Sequence, residues 1–252
     1  KGIIMRRLLA LSVMSVSACG SANSFLPEND LWKQDQLFES TTTMTESQFN
    51  SIIDGVEKIY KPIVEKMGGH FQVNRRWWDT TVNANAEKIG DSWQINMYGG
   101  LARRPEITAD GFALVVLHET GHHLGFFPFY DRSDMAAEGQ ADYFATHSGA
   151  RKLWANDKRK NAQVAKGKPE YARLCSARNS KPDEVNLCVR TLVAGDSLAK
   201  MLAVLKKDRV VPQYDTPDTS KVPTLFPYHP AAQSRLDTYL AGAVCKVTYS
   251  EV

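Results

Sequence analysis

The stretch from Thr108 to Gly125 constrains the fold more than any other. An unbroken apolar run, Phe112 to Leu117, leads straight into His118-Glu119-Thr120-Gly121-His122, and Gly125 stands where a helix would stop. A helix that is apolar on nearly all sides has to be buried. This one takes two imidazoles and a carboxylate with it, and buried charge is tolerated only where it is paired or coordinates a metal. Residues four apart share a helix face, so His118 and His122 can reach one ion. Glu119 lies about 100° round the helix from His118, beside such an ion without ligating it. The chain must therefore fold around a central helix with a polar knot near its C-terminal end.

A metal that does chemistry needs a third protein ligand and one open position. Pro128 stands six residues after His122, which excludes the pattern with a third histidine there, although Gly125 matches that pattern's glycine. Glu138, in Glu138-Gly139-Gln140-Ala141-Asp142, is the better candidate because Glu138 and Asp142 are again four apart. Glu138 would bind the ion, while Asp142 would accept a hydrogen bond from a ligand imidazole, that of His118, and so fix its ring. Asp131 and Asp134 are rivals that lack such a helical partner. His123 points off the ligand face, and His147 falls on the opposite side of the helix from Glu138. One zinc ion suits two imidazoles and a carboxylate, and Glu119 can take the proton of a water that zinc has acidified.

The rest of the chain supplies a frame. Its 252 residues, 43% hydrophobic and 23% charged, can bury one good core, and a net charge of +3 gives no reason to expect a nucleic-acid partner. Thr45-Glu46-Ser47-Gln48 has capping-box spacing and opens a helix with apolar residues from Phe49 to Ile63, kinked by Pro62 and ended by Gly68-Gly69. Strands are expected at 70–75, 81–86 and 92–98, the last alternating Trp93, Ile95 and Met97 with polar neighbours. Helices are expected from Thr108 to Leu124, from about Ser133 to Trp154, from Pro182 to about Lys207, and from Pro230 onward. The basic stretch Lys158 to Lys168 reads as a solvated face. Strands early and helices late argue for one α+β domain.

The N-terminus reads as an address. After Arg6-Arg7, an apolar stretch from Leu8 to Val16 leads to Val16-Ser17-Ala18-Cys19. It is short of the roughly 20 residues of a transmembrane helix and has the layout of an export signal. The segment resembles a bacterial lipoprotein signal, which implies a signal peptide over 1–18, acylation at Cys19, a tether over 19–44 and the main domain over 45–252. An ordinary signal cleaved near Ala18 or Ala22 is the alternative. The expected location is the outer membrane, periplasm or cell surface, with the membrane touched through the lipid anchor alone. There, Cys175 and Cys188 could close a short loop and leave Cys245 over, or all three could be buried thiols.

His118-Glu119-x-x-His122 followed by Glu138-x-x-Ala141-Asp142 resembles the signature of gluzincins of the HtpX type, a group that includes the CAAX prenyl proteases. Val82-Asn83-Ala84-Asn85-Ala86, Tyr98-Gly99-Gly100-Leu101 and His229-Pro230 with Arg235 resemble further elements of that family, in the same order, over about residues 45 to 245. The resemblance implies a zincin (gluzincin) fold, with a small sheet whose edge strand, taken as Ser92 to Tyr98, lies above the active-site helix, and a mostly helical C-terminal half. It also implies a zinc endopeptidase acting on protein or peptide substrates. His229 is then the first candidate for an oxyanion donor, ahead of Tyr228 and Tyr143. It could instead be a fourth ligand in a resting state, or merely precede the final helix with Pro230 at its first position. Arg235 would pair with a carboxylate behind the ligands, and Trp77 and Trp78 would be core or sheet-face residues. The chain departs from the family in its short interval from His122 to Glu138 and in lacking transmembrane helices. Two other functions compete: a non-catalytic metal-binding lipoprotein serving as chaperone or assembly factor, and a zinc amidase acting on cell-wall links.

Overall fold

The computed structural model describes residues 23–35, 44–130, 133–205, 210–221 and 229–246. The expected signal peptide over 1–18, Cys19, Asp131 and Tyr228 lie outside them. The architecture is α+β, with a four-stranded sheet ordered β1-β3-β4-β2 and helices that dominate the second half. No helix among the described residues is long and apolar enough to cross a membrane.

The chain enters through β1 (Asn23–Ser24) and a single helical turn, α1 (Trp32–Asp35). Helix α2 (Glu46–Lys66) starts as its capping box requires: Thr45 Oγ1 accepts from Gln48 N at 3.2 Å, and Gln48 Oε1 accepts from Thr45 N at 3.0 Å. Its buried stripe, Phe49, Ile53, Val56, Tyr60 and Val64, packs on the sheet. Gly68, at φ 82°, turns the chain into β2 (His70–Arg76).

The hairpin β3 (Ala84–Ile89) and β4 (Ser92–Tyr98) turns at Gly90, φ 61°. Strand β3 begins three residues later than its sequence suggests, because the Asn83 side chain is spent on the backbone N–H and C=O of Leu26. The expectation that Ser92–Tyr98 is the edge is wrong. Strand β4 lies inside the sheet, antiparallel to β3 and parallel to β2, with Ile95 between Ala86 and Val73. Its alternation is that of a strand with one buried face, which edge and inner strands share. The edge beside the central helix is β3, and Asn23 and Ser24 sit on it antiparallel to Ala86 and Asn85. Residues 23–31, expected in a tether, thus join the fold, with Phe25 and Leu26 fully buried and Leu31 nearly so.

After the short α3 (Gly99–Ala102), the central helix α4 (Ala109–Leu124) begins at the Thr108 cap, whose Oγ1 accepts from Gly111 N, and ends at Gly125. Phe112, Leu114, Val115, Val116 and Leu117 are all fully buried, each contributing about 1.5–3 kcal/mol. Helix α5 (Glu138–Phe144) continues through a π-helical turn (Ala145–Gly149) into α6 (Ala150–Trp154). It starts at Glu138 rather than Ser133 because the preceding loop folds back on itself, with Tyr130 N bonded to Met135 O and Ala137 N to Pro128 O.

Helix α7 (Lys158–Ala165) carries the basic stretch on a largely exposed face, with Lys158 on Asp183 and Lys160 on Asp110. Helices α8 (Pro169–Ser176) and α9 (Pro182–Val204) are joined by the Cys175–Cys188 disulfide. Buried Arg190 on α9 grips Asp110, at the start of α4, with two bonds of 2.8 and 2.9 Å. Helix α10 (Ala232–Val244) closes the body against α5, the π turn and α9.

Candidate metal centre

The C-terminal turns of α4 and the first turn of α5 meet because residue 121 has no side chain. A Cβ there would come within 2.9 Å of the Ala141 Cα and carbonyl oxygen, closer than real Cβ atoms approach. That crossing brings Glu138 and Asp142 up to His118 and His122. His118 Nε2 lies 3.3 Å from Glu138 Oε2, and His122 Nε2 lies 3.5 Å from Glu138 Oε1. Ligand atoms around a tetrahedral zinc are about 3.3 Å apart, given bonds near 2.0–2.2 Å.

The three side chains fit a metal in two further ways. His118 Nε2, His122 Nε2 and Glu138 Oε2 are buried atoms without a hydrogen-bond partner, and the three residues offer ligand atoms all within 4.8 Å of one another. Each ring is also held from behind. His122 Nδ1 donates to Ala136 O at 2.7 Å, and His118 Nδ1 lies 2.8 Å from Asp142 Oδ1. The hydrogen bond at His122 Nδ1 leaves that ring's Nε2 lone pair for an ion, and Asp142 stands behind His118 as a close charged neighbour.

No protein-family model, curated protein or solved structure matches the chain.

Glu119, His122, Asp142 and Arg235 have no exposed surface, His118 1% and Glu138 2%. Three carboxylates and one guanidinium sum to a charge of −2, which a divalent cation would cancel. Without metal, protons take its place. Burial pushes Glu119 up to about 8. Burial alone would lower His118, but Asp142 and Glu138 lift it to about 9. Burial holds His122 down at about 4. Burial raises Glu138 and Asp142 as well, but the imidazoles and Arg235 outweigh it and keep both carboxyls below their usual range.

Other expected residues find definite places. Both oxygens of Glu119 are buried without a hydrogen-bond partner. Asp142 lies behind the His118 ring, and Arg235 donates to both of its oxygens, Nε and Nη2 each 2.8 Å from the carboxylate. His229 Nε2 lies 3.9 Å from Glu138 Oε1 and donates to Ser24 O at 2.6 Å. It is thus beside the ligands but bonded to the chain's own backbone. Asp134 pairs with Lys88 and is not among the ligands. His123 stacks on Trp93 and bonds to Gln94 O, His147 and Tyr143 stack on each other, and Trp77 packs on Phe49 while Trp78 is exposed.

Two contacts had no sequence signal. The Tyr130 hydroxyl donates to Glu138 Oε1 at 2.6 Å, and its ring tilts over His122 with centroids 6.0 Å apart. Phe25 sets its ring edge-on to His118 at 5.3 Å. Tyr130 sits in an irregular loop and Phe25 is 93 positions from its partner, so neither shares a helical repeat with the site.

Proposed function

We propose that this chain is a zinc-dependent metalloendopeptidase with a compact gluzincin fold of the HtpX type, hydrolysing peptide bonds of envelope or extracellular proteins. The observation that carries the reading is the convergence of His118 Nε2, His122 Nε2 and a Glu138 carboxylate oxygen next to the unpartnered carboxyl of Glu119. When bound, zinc would acidify a water and polarise a carbonyl oxygen.

The protein's own groups divide the remaining work. Asp142 and the Ala136 carbonyl orient the two ligand rings. Arg235 keeps Asp142 ionised, so that His118 remains a strong donor. Glu119 accepts the proton of the attacking water and returns it to the leaving amine. Its lack of any structural partner favours this role, because a purely structural metal site has no use for a buried free carboxyl. His229 would donate to a substrate carbonyl, a role its bond to the Ser24 carbonyl supports.

The disulfide between Cys175 and Cys188 fits the oxidising compartment that a lipoprotein signal ending at Cys19 would lead to. The complete burial of the ligands favours a second reading, a non-catalytic metal-binding lipoprotein. Metal analysis with casein cleavage, for wild type and Glu119→Gln, separates the two. A protease binds about one zinc in both forms and cuts only as wild type, with Glu119→Gln down by on the order of 10²–10⁴. Stoichiometric zinc with no cleavage by either form favours the binding protein.

A further inference from the structure

A peptidase has to admit a peptide and a water, yet among the described residues no ligand and no acid at this centre is more than 2% exposed. Part of what covers it is the chain's own N-terminal segment. We infer that residues Asn23 to Leu26 form a strap that lies along the substrate path and holds the site shut, so that activity requires the strap to leave β3. The inference rests on the hydrolase reading above and adds a regulation to it.

The segment sits as an extended peptide adding to a sheet edge would. Asn23 and Ser24 pair antiparallel with Ala86 and Asn85, and Phe25 N donates to Ala84 O at 2.9 Å. Helix α4 packs directly against β3, so this is the edge nearest the metal ligands. The next two carbonyls are taken by residues of the centre: His229 Nε2 donates to Ser24 O, and Arg235 Nη1 donates to Phe25 O, both at 2.6 Å. The Phe25 ring then covers the ligand His118 and lies 4.5 Å from the Arg235 guanidinium.

Most of these polar anchors grip main chain. Any extended peptide offers the same carbonyls and N–H groups, so a substrate could take over the bonds of the strap without rearranging α4, α5 or α10. The paired part is also short. Only Asn23 and Ser24 form a strand, and among the described residues Glu87 to Ile89 have no strand on their outer side. A two-residue strand with an open edge beyond it is a contact that can be exchanged.

Strap closure can be read from the metal as well as from activity. Phe25 N–H bonds to the Ala84 carbonyl, so Ser24 and Asn85 form the neighbouring non-hydrogen-bonded pair, in which Cα atoms are about 4.5 Å apart. That spacing accepts a disulfide. The full-length S24C/N85C protein would lock the strap when oxidised and free it when reduced, and Phe25→Ala would loosen it without a cross-link. Zinc-loaded proteins are mixed with excess chelator and zinc release is timed, and casein cleavage is followed in parallel, with wild type under the same reductant as control.

The strap slows release by about tenfold or more in the locked protein relative to its reduced form, speeds it in Phe25→Ala, and moves casein cleavage in the same order. Equal release and equal cleavage by the locked and reduced proteins would overturn the strap. A locked protein that cuts casein as fast as wild type overturns it too, and leaves the peptidase reading intact. Release that follows the lock, with no cleavage by any form, keeps the strap as a cover over a metal site and removes the peptidase.

Discussion

Arg235 holds Asp142 through two parallel hydrogen bonds, Nε to Oδ2 and Nη2 to Oδ1, each 2.8 Å, with no exposed surface on either side chain. The pair links α10 to α5, and through His118 Nδ1, 2.8 Å from Asp142 Oδ1, it reaches the candidate ligands. The last helix is therefore tied to the candidate metal centre although none of the three candidate ligands lies on it.

Truncating that link should cost both stability and metal. Arg235→Met leaves Asp142 buried without its main counter-charge, a loss of about 3–5 kcal/mol. Asp142→Asn keeps the shape but removes the charge behind His118, and zinc affinity should fall about 10–100-fold. Urea unfolding and competition with a zinc indicator read the two effects. An Asp142→Asn protein that binds zinc as tightly as wild type would refute the orienting role.

Metal binding should release protons near neutral pH. In the metal-free chain Glu119 gives up its proton only at about 8 and His118 only at about 9, against ordinary values of 4.5 and 6.5. Between pH 6.5 and 8 the folded metal-free chain keeps two protons that the unfolded chain has released, so its stability falls as pH rises through this window. A divalent cation replaces both protons, and zinc affinity rises with pH over the same range. Calorimetry in buffers of different ionisation enthalpy should find about two protons released at pH 7. The melting-temperature gap between zinc-loaded and chelator-treated protein should widen from pH 6.5 to 8. A gap that stays constant would contradict the burial of Glu119.

Gly121→Ala tests the crossing that makes the site. The added methyl meets Ala141 backbone at 2.9 Å, which cannot swing away as a side chain would. Helix α5 must retreat, and Glu138 and Asp142 retreat with it. The expected outcome is a cost of about 1–3 kcal/mol with zinc binding lost or much weakened. Alanine at Gly139, whose Cβ would meet nothing within 4 Å, is the matched control.

Tyr130→Phe removes the hydroxyl that occupies Glu138 Oε1. The ligand carboxylate then loses a donor that steers its other oxygen towards the imidazoles. Zinc affinity should drop by about tenfold, the low end for such supporting contacts, and the absorption spectrum of the cobalt-substituted protein should change. An unchanged spectrum would assign Tyr130 to packing alone.

Much of this was legible because the relevant spacing is local. The capping box at Thr45, the apolar run in α4 and the four-residue steps from His118 to His122 and from Glu138 to Asp142 each depend on one helix, whose repeat is written in the sequence. Where the reading missed, the cause was non-local. Alternation placed Ser92–Tyr98 in a sheet but could not say which neighbours it has. The helix start slipped from Ser133 to Glu138 because a loop bonded to itself and to His122 O decides it.

By itself the sequence determined which side chains could share an ion, since helical periodicity sets their direction wherever the helices end up. Only the tertiary structure decided that α4 and α5 cross closely enough for Glu138 to join the histidines, that Arg235 backs them, and that Phe25 and Tyr130 cover them. Those relations span up to 210 positions of chain, as between Arg235 and Phe25. They arise from packing in three dimensions, which no repeat along the chain encodes.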